Sequence, residues 1–178
     1  MQARREAQAR QRAASREGAA SNQMTTITVE TGINAPIELC FDLARDLGAH
    51  VESASFSDER LVEPGKTAGL LELGDVYTIE GTHFGFRQRF TTRIVELQRP
   101  HRFVDEMVKG TFKWLRHVHE FHPARNGTIM CDVLSWKAPL GVVGQLADFL
   151  FLKNHMRGFV SRKQFQLKLL AETKKNTT

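Results

Sequence analysis

The segment Lys113–His122 would, as a strand, carry Leu115, His117, His119 and Phe121 on one face, because alternate side chains of a strand point the same way. Two imidazoles at i and i+2 are two potential metal ligands, and His122 is the obvious third. Strand alternation turns His122 to the opposite face, however. The run His119-Glu120-Phe121-His122 is also one residue too short for the helical zinc motif HExxH. The expectation is therefore no metal site. Asp105 and Asp132 fall in the neighbouring strand-like segments, on faces able to adjoin the two histidines. A carboxylate that accepts a hydrogen bond from an imidazole fixes its tautomer and raises its basicity. Within an apolar cavity such a pair could remove a proton next to a carbonyl, as a cyclase or dehydratase requires. His117, His119, Asp105 and Asp132 are thus the catalytic candidates. The same four residues could instead form an internal ion pair that holds the sheet, or sit on its wet face.

Other chemistry finds less support. Ser135 follows no GxSxG elbow, and Cys40 lies on an apolar helical face where a thiol is inert. There is no GxGxxG and no P-loop, so no nucleotide cofactor is expected. A mixed set of large side chains at core spacing suits a pocket better: Tyr77, Phe86, Phe90, His117, His119, Met130 and Trp136 from strands, and Phe149, Met156 and Phe159 from a helix. A few polar groups among apolar walls fix a ligand's orientation.

The elements that must position these residues follow from periodicity. Thr25–Thr31 alternates as a strand. Asn34 is placed to cap a helix with Pro36 in its first turn, and Ile37, Cys40, Phe41 and Ala44 recur on one face of it. Asp46–Val51 reads as a short irregular or helical link, with Gly48 as its terminator. Six strands are then expected: Ser53–Val62, Val76–Gly81, Phe84–Leu97, Arg102–Lys109, Lys113–His122 and Thr128–Trp136, with a bulge or bend allowed by Gly81 and Gly85. The short separations suit antiparallel hairpins. In Phe84–Leu97, Phe86, Gln88, Phe90, Thr92 and Ile94 share one face, while Arg87, Arg89, Thr91 and Arg93 share the solvated other. From about Gly141 to Ala171 the period becomes helical, over roughly 45 Å. Val142, Leu146, Phe149, Met156, Val160, Leu167 and Leu170 form its stripe, and Lys153 and Lys163 interrupt it.

The 178 residues suffice for one domain over 24–172, followed by a flexible end at 173–178. Of the net charge of +5, residues 1–23 carry +3, from five arginines against Glu6 and Glu17, which leaves the remainder at +2. A nucleic-acid binder would carry its excess charge on the folded surface, so no nucleic-acid partner is expected. Residues 1–23 have almost no apolar side chain larger than alanine and read as a disordered tail, with Met24 as the natural start. No run reaches the roughly 18 apolar residues that span a bilayer. Two cysteines, Cys40 and Cys131, without a CxxC pair point to a reducing cytoplasm.

Several ordered pieces resemble the SRPBCC superfamily of START and Bet v 1-like proteins, and more narrowly its bacterial polyketide cyclase/dehydrase-like members. They are Ile33-Asn34-Ala35-Pro36-Ile37 leading to Phe41-Asp42, Arg102-Phe103-Val104-Asp105-Glu106, Gly110-Thr111-Phe112, His117-Val118-His119-Glu120-Phe121, Thr128-Ile129-Met130-Cys131-Asp132 and Pro139-Leu140-Gly141. The resemblance implies an α+β helix-grip fold, a seven-stranded antiparallel curved sheet wrapped around a long C-terminal helix, with short helices after strand 1. It implies binding of a hydrophobic lipid-, polyketide- or quinone-like molecule between sheet and helix. The alternatives it leaves open are an aromatase/cyclase or dehydratase using a cavity His/Asp pair, and a protein-interaction module of the same fold.

Overall fold

The computed structural model describes residues 24–83, 85–138 and 151–176; the expected tail, Phe149 and the first part of the expected long helix lie outside them. Strand β1 (Thr25–Ile33) turns Ile27 and Ile33 into the core and Thr26, Thr28 and Glu30 outward, as its alternation requires. Helix α1 (Ile37–Arg45) starts directly after Pro36, whose fixed φ suits a helix entry. Asn34 does not cap it. Its N–H donates to Glu172 Oε1 instead, and its Oδ1 accepts from Lys175 Nζ. Helix α2 (Leu47–Ser53) is capped by Asp46, whose Oδ1 accepts the Ala49 N–H at 2.8 Å, so Gly48 lies inside a helix rather than ending one.

The expected strand Ser53–Val62 is mostly not a strand. Ser53 closes α2, Ser55–Ser57 forms a single 3-10 turn, and only β2 (Arg60–Val62) pairs. The Ser53 and Ser57 hydroxyls donate back to the carbonyls of His50 and Ala54, a local bonding that competes with sheet ladders.

The remaining strands are β3 (Val76–His83), β4 (Phe86–Gln98), β5 (Arg102–Lys109), β6 (Trp114–Ala124) and β7 (Gly127–Lys137). All neighbours are antiparallel, in the order β1-β7-β6-β5-β4-β3-β2. Register is regular past Gly81; the irregularities fall instead in β4, at Thr91/Thr92 and Ile94/Glu96. Gly127 has φ of +141°, and a Cβ there would meet Ile33 O at 2.1 Å, so only glycine lets the β6–β7 turn lie against the end of β1 and the link that follows it. On the outer face, Glu80 accepts from Arg60, Arg87 and Arg89, and Arg116 pairs with Glu96 and Glu106. The arginine row seen in the sequence is partly neutralised in this way; Arg93 is exposed and Thr91 is buried against Thr78.

Helix α3 (Lys153–Lys175) continues four residues beyond the expected end. It lies across the sheet's concave face and is stitched to β1: Arg157 donates to Thr28 O, Gln164 to Val29 O and Lys168 to Gly32 O. Phe41 anchors the core between α1 and the sheet, edge-on to both Phe103 and Phe121. No helix among the described residues is long and apolar enough to cross a membrane.

Candidate functional site

Between α3 and the sheet is a cavity of about 160 Å³. Its walls are largely apolar, with Ile79, Phe90, Phe112, Leu134, Met156 and Phe159 among them. The imidazoles of His83 and His155 approach at 3.3 Å beside Phe159. Some eight residues further along α3, about 12 Å on, the lining turns polar and titratable. There Lys163, His50, Glu59 and Tyr77 meet Asp105, His117, His119 and Asp132.

Strand register builds the second group. Asp105 lies opposite His117, and His119 opposite Asp132. Residues at i and i+2 share a face, so all four side chains enter the cavity. His119 Nε2 is 3.1 Å from Asp105 Oδ2, and its Nδ1 is 2.7 Å from Asp132 Oδ1. The second pair has an ion-pair separation without hydrogen-bond alignment, and both atoms, with His117 Nε2, make no hydrogen bond among the described residues. His117 Nε2 is 3.6 Å from the same Asp132 oxygen. The two rings lie 3.9 Å apart, and His119 stacks on Phe103 at 4.2 Å.

Burial works against a charged His119, but the carboxylates of Asp132 and Asp105 outweigh it and raise its pKa to about 9. Burial likewise opposes ionisation of Asp132, yet His119 and His117 hold it well below the usual carboxylate range. On the facing side, Lys163 Nζ donates to His50 Nε2 at 2.6 Å and stands 3.7 Å from Glu59 Oε2. Burial, then the charge of Lys163, pushes His50 well below its ordinary value, so it stays neutral and accepts. Burial also raises Glu59 and lowers Lys163, and burial with the nearby Asp105 and Glu59 carboxylates lifts Tyr77 well above the ordinary phenol range. Glu59 reaches in because residue 81 is glycine: a Cβ there would sit 2.9 Å from Glu59 Cγ.

Of the residues picked out for a pocket, Tyr77, Phe90, His117, His119, Met130, Met156 and Phe159 line this cavity, as do Asp105 and Asp132. Phe86 does not. It pairs with His83 at the tip of the β3–β4 hairpin and is 72% exposed, since a strand face becomes interior only where another element covers it. Trp136 is wholly buried with Ile27, Leu134 and Val160, behind Phe112, and backs the wall rather than lining it. Phe149 lies outside the described residues. His122, 60% exposed, faces away as alternation requires.

Lys163, His50 and Glu59 escaped the sequence. Lys163 had a signal: it falls on the apolar stripe, seven residues after Met156, and a charge there marks either an interruption or an inward-facing amine. His50 lies in the seven-residue α2, too short to show a period, and Glu59 lies just before β2, in a segment read as one strand.

No family model matches this chain, and no curated protein does. Solved structures do. Protein CV1439 of Chromobacterium violaceum is 18% identical with a TM-score of 0.63, over 83% of this chain and 96% of its own. TTHA0849 of Thermus thermophilus is 19% identical with a TM-score of 0.65, over 81% and 94%. The major latex-like protein 151 of Panax ginseng is 12% identical with a TM-score of 0.63, over 83% and 97%. At these identities the likeness is one of fold, and that fold is the helix-grip.

Proposed function

We propose that this protein, an SRPBCC-type helix-grip domain, binds a hydrophobic small molecule of lipid, polyketide or quinone type between its sheet and α3. One observation carries the reading: a single cavity joins apolar walls at one end to a cluster of buried titratable groups at the other. The walls take up ring or chain, and the cluster orients a polar head. A volume near 160 Å³ is of the order that accepts a benzene-sized molecule, so a longer ligand would seat one ring there and leave its remainder beyond. A cyclase or dehydratase would need a base free to accept a proton. His119 is flanked by two carboxylates that keep its proton in place, which favours orientation of a ligand over proton abstraction by that residue.

An environment-sensitive apolar dye tests the reading and should bind at one site per chain. Met156→Trp places an indole into the cavity from α3, and methionine's flexible site should tolerate it. Binding should disappear while the unfolding midpoint holds. A solid core would answer oppositely, with no dye bound and a loss of about 1–3 kcal/mol from overpacking.

A further inference from the structure

We propose that Asp105, His117 and His119 bind one divalent transition-metal ion, positioned by Asp132, with an open coordination site facing the apolar cavity. This goes beyond the ligand-binding reading and reverses the sequence expectation of no metal. That expectation looked for a third ligand along the same strand, at His122, whereas the fold supplies it from the neighbouring strand.

A ligand atom from each of Asp105, His117 and His119 lies within 4.8 Å of the other two. Bonds of about 2.0–2.1 Å at ordinary coordination angles put adjacent ligand atoms roughly 2.8–3.4 Å apart. The hydrogen bond between Asp105 Oδ2 and His119 Nε2, at 3.1 Å, has the length of such an edge, and a metal ion would take the place of its proton. His117 contributes an imidazole whose Nε2 makes no hydrogen bond among the described residues, in a cavity where an unsatisfied nitrogen is costly. With His119 coordinating through Nε2, its Nδ1–H faces Asp132 Oδ1 at 2.7 Å, and a small ring rotation would align the carboxylate–histidine–metal arrangement that orients metal-bound imidazoles.

Charge points the same way. Three carboxylates, Asp105, Asp132 and Glu59, meet one ammonium, Lys163, in the cavity, and a divalent ion that displaces the His119 proton would balance them. Two imidazoles and one carboxylate suit zinc, cobalt, iron or manganese rather than calcium or magnesium, which prefer oxygen. The three ligands sit on paired strands, β5 and β6, so the set is held by sheet geometry. The open position would take an anionic or carbonyl oxygen on an apolar molecule.

The test uses the full, untagged chain stripped with chelator and titrated with Co²⁺, with Zn²⁺ as competitor. One Co²⁺ per chain is expected, with visible bands of a low-coordinate nitrogen–oxygen site that Zn²⁺ abolishes. Asp105→Asn and His117→Ala should eliminate it, Asp132→Asn should weaken it about 10–100-fold, and His122→Ala should leave it unchanged. Absence of saturable Co²⁺ binding to the wild-type chain overturns the proposal whether or not any variant folds. So does binding that survives Asp105→Asn and His117→Ala, or that depends on His122. Dye binding measured on the same samples separates the two readings: dye without metal refutes the metal site alone, and metal without dye refutes the apolar pocket alone.

Discussion

His50 is a half-buried imidazole that accepts from Lys163, faces Glu59, and stands edge-on to Tyr77 at 5.9 Å. Burial and the lysine charge put its folded pKa well below 6.5, the value an unfolded chain shows. As pH falls, the unfolded chain therefore takes the proton first. The stability that neutral His50 contributes is present above about pH 6.5 and is lost as pH falls below it, at no more than about 1.4 kcal/mol per pH unit. Burial lowers His83 and His155 as well, which acts in the same direction. Glu59, raised by burial, acts in the opposite one, so the informative quantity is a difference between proteins. Urea unfolding between pH 7.5 and 5 should show wild type losing more stability than His50→Gln. Equal losses would mean that His50 is charged in the fold.

Among the elements, α2 has seven residues and presents His50 and Ser53 to the cavity. So short a helix depends on its ends. Asp46 Oδ1 is the side-chain cap, on the Ala49 N–H. Asp46→Ala should cost about 1 kcal/mol in urea unfolding and speed amide exchange at Ala49, and Asp46→Ser should restore most of it. Unchanged exchange would show that tertiary packing, not the cap, holds α2 in place. Helix α3 is placed by different means, since Gln164 is fully buried and joins the Thr31 hydroxyl at 2.7 Å to the Val29 carbonyl at 3.1 Å. A polar side chain on the apolar stripe thus fixes the helix's rotation, and that rotation aims Lys163 inward.

For the molecule as a whole, the cavity is bounded by the sheet, α2 and α3, all within residues 24–176. Residues 1–23 contain no apolar side chain larger than alanine apart from Met1, and so little with which to dock. Deleting them should leave the melting temperature within about 2 °C, the scale of a change below roughly 0.5 kcal/mol. Dye affinity should be equally unaffected. A larger drop in either would place the arginine-rich segment against the domain.

The long-period features of this architecture were legible in the sequence because they obey one rule repeated many times. Alternation over Arg102–Lys109, Lys113–His122 and Thr128–Trp136 marked three adjoining strands, and it put His117 and His119 together because i and i+2 share a face. It also set His122 on the other side. Short segments obeyed no such repeat: Ser53–Val62 became a helix end, a turn and three residues of strand, settled by serine hydroxyls and an aspartate cap. Asp105 and Asp132 were legible as neighbours able to adjoin the histidines, but which residue pairs with which was not, since a shift of one residue in β5 against β6 would send Asp105 to the outer face. Only the register set Asp105 beside His117 and His119, and only the rotation of α3 turned Lys163 from a break in an apolar stripe into the cation of a buried cluster. Periodicity is a property of one segment, whereas this site is a relation between β5, β6, β7 and a helix that begins 16 residues after β7 ends, which exists only once they have packed.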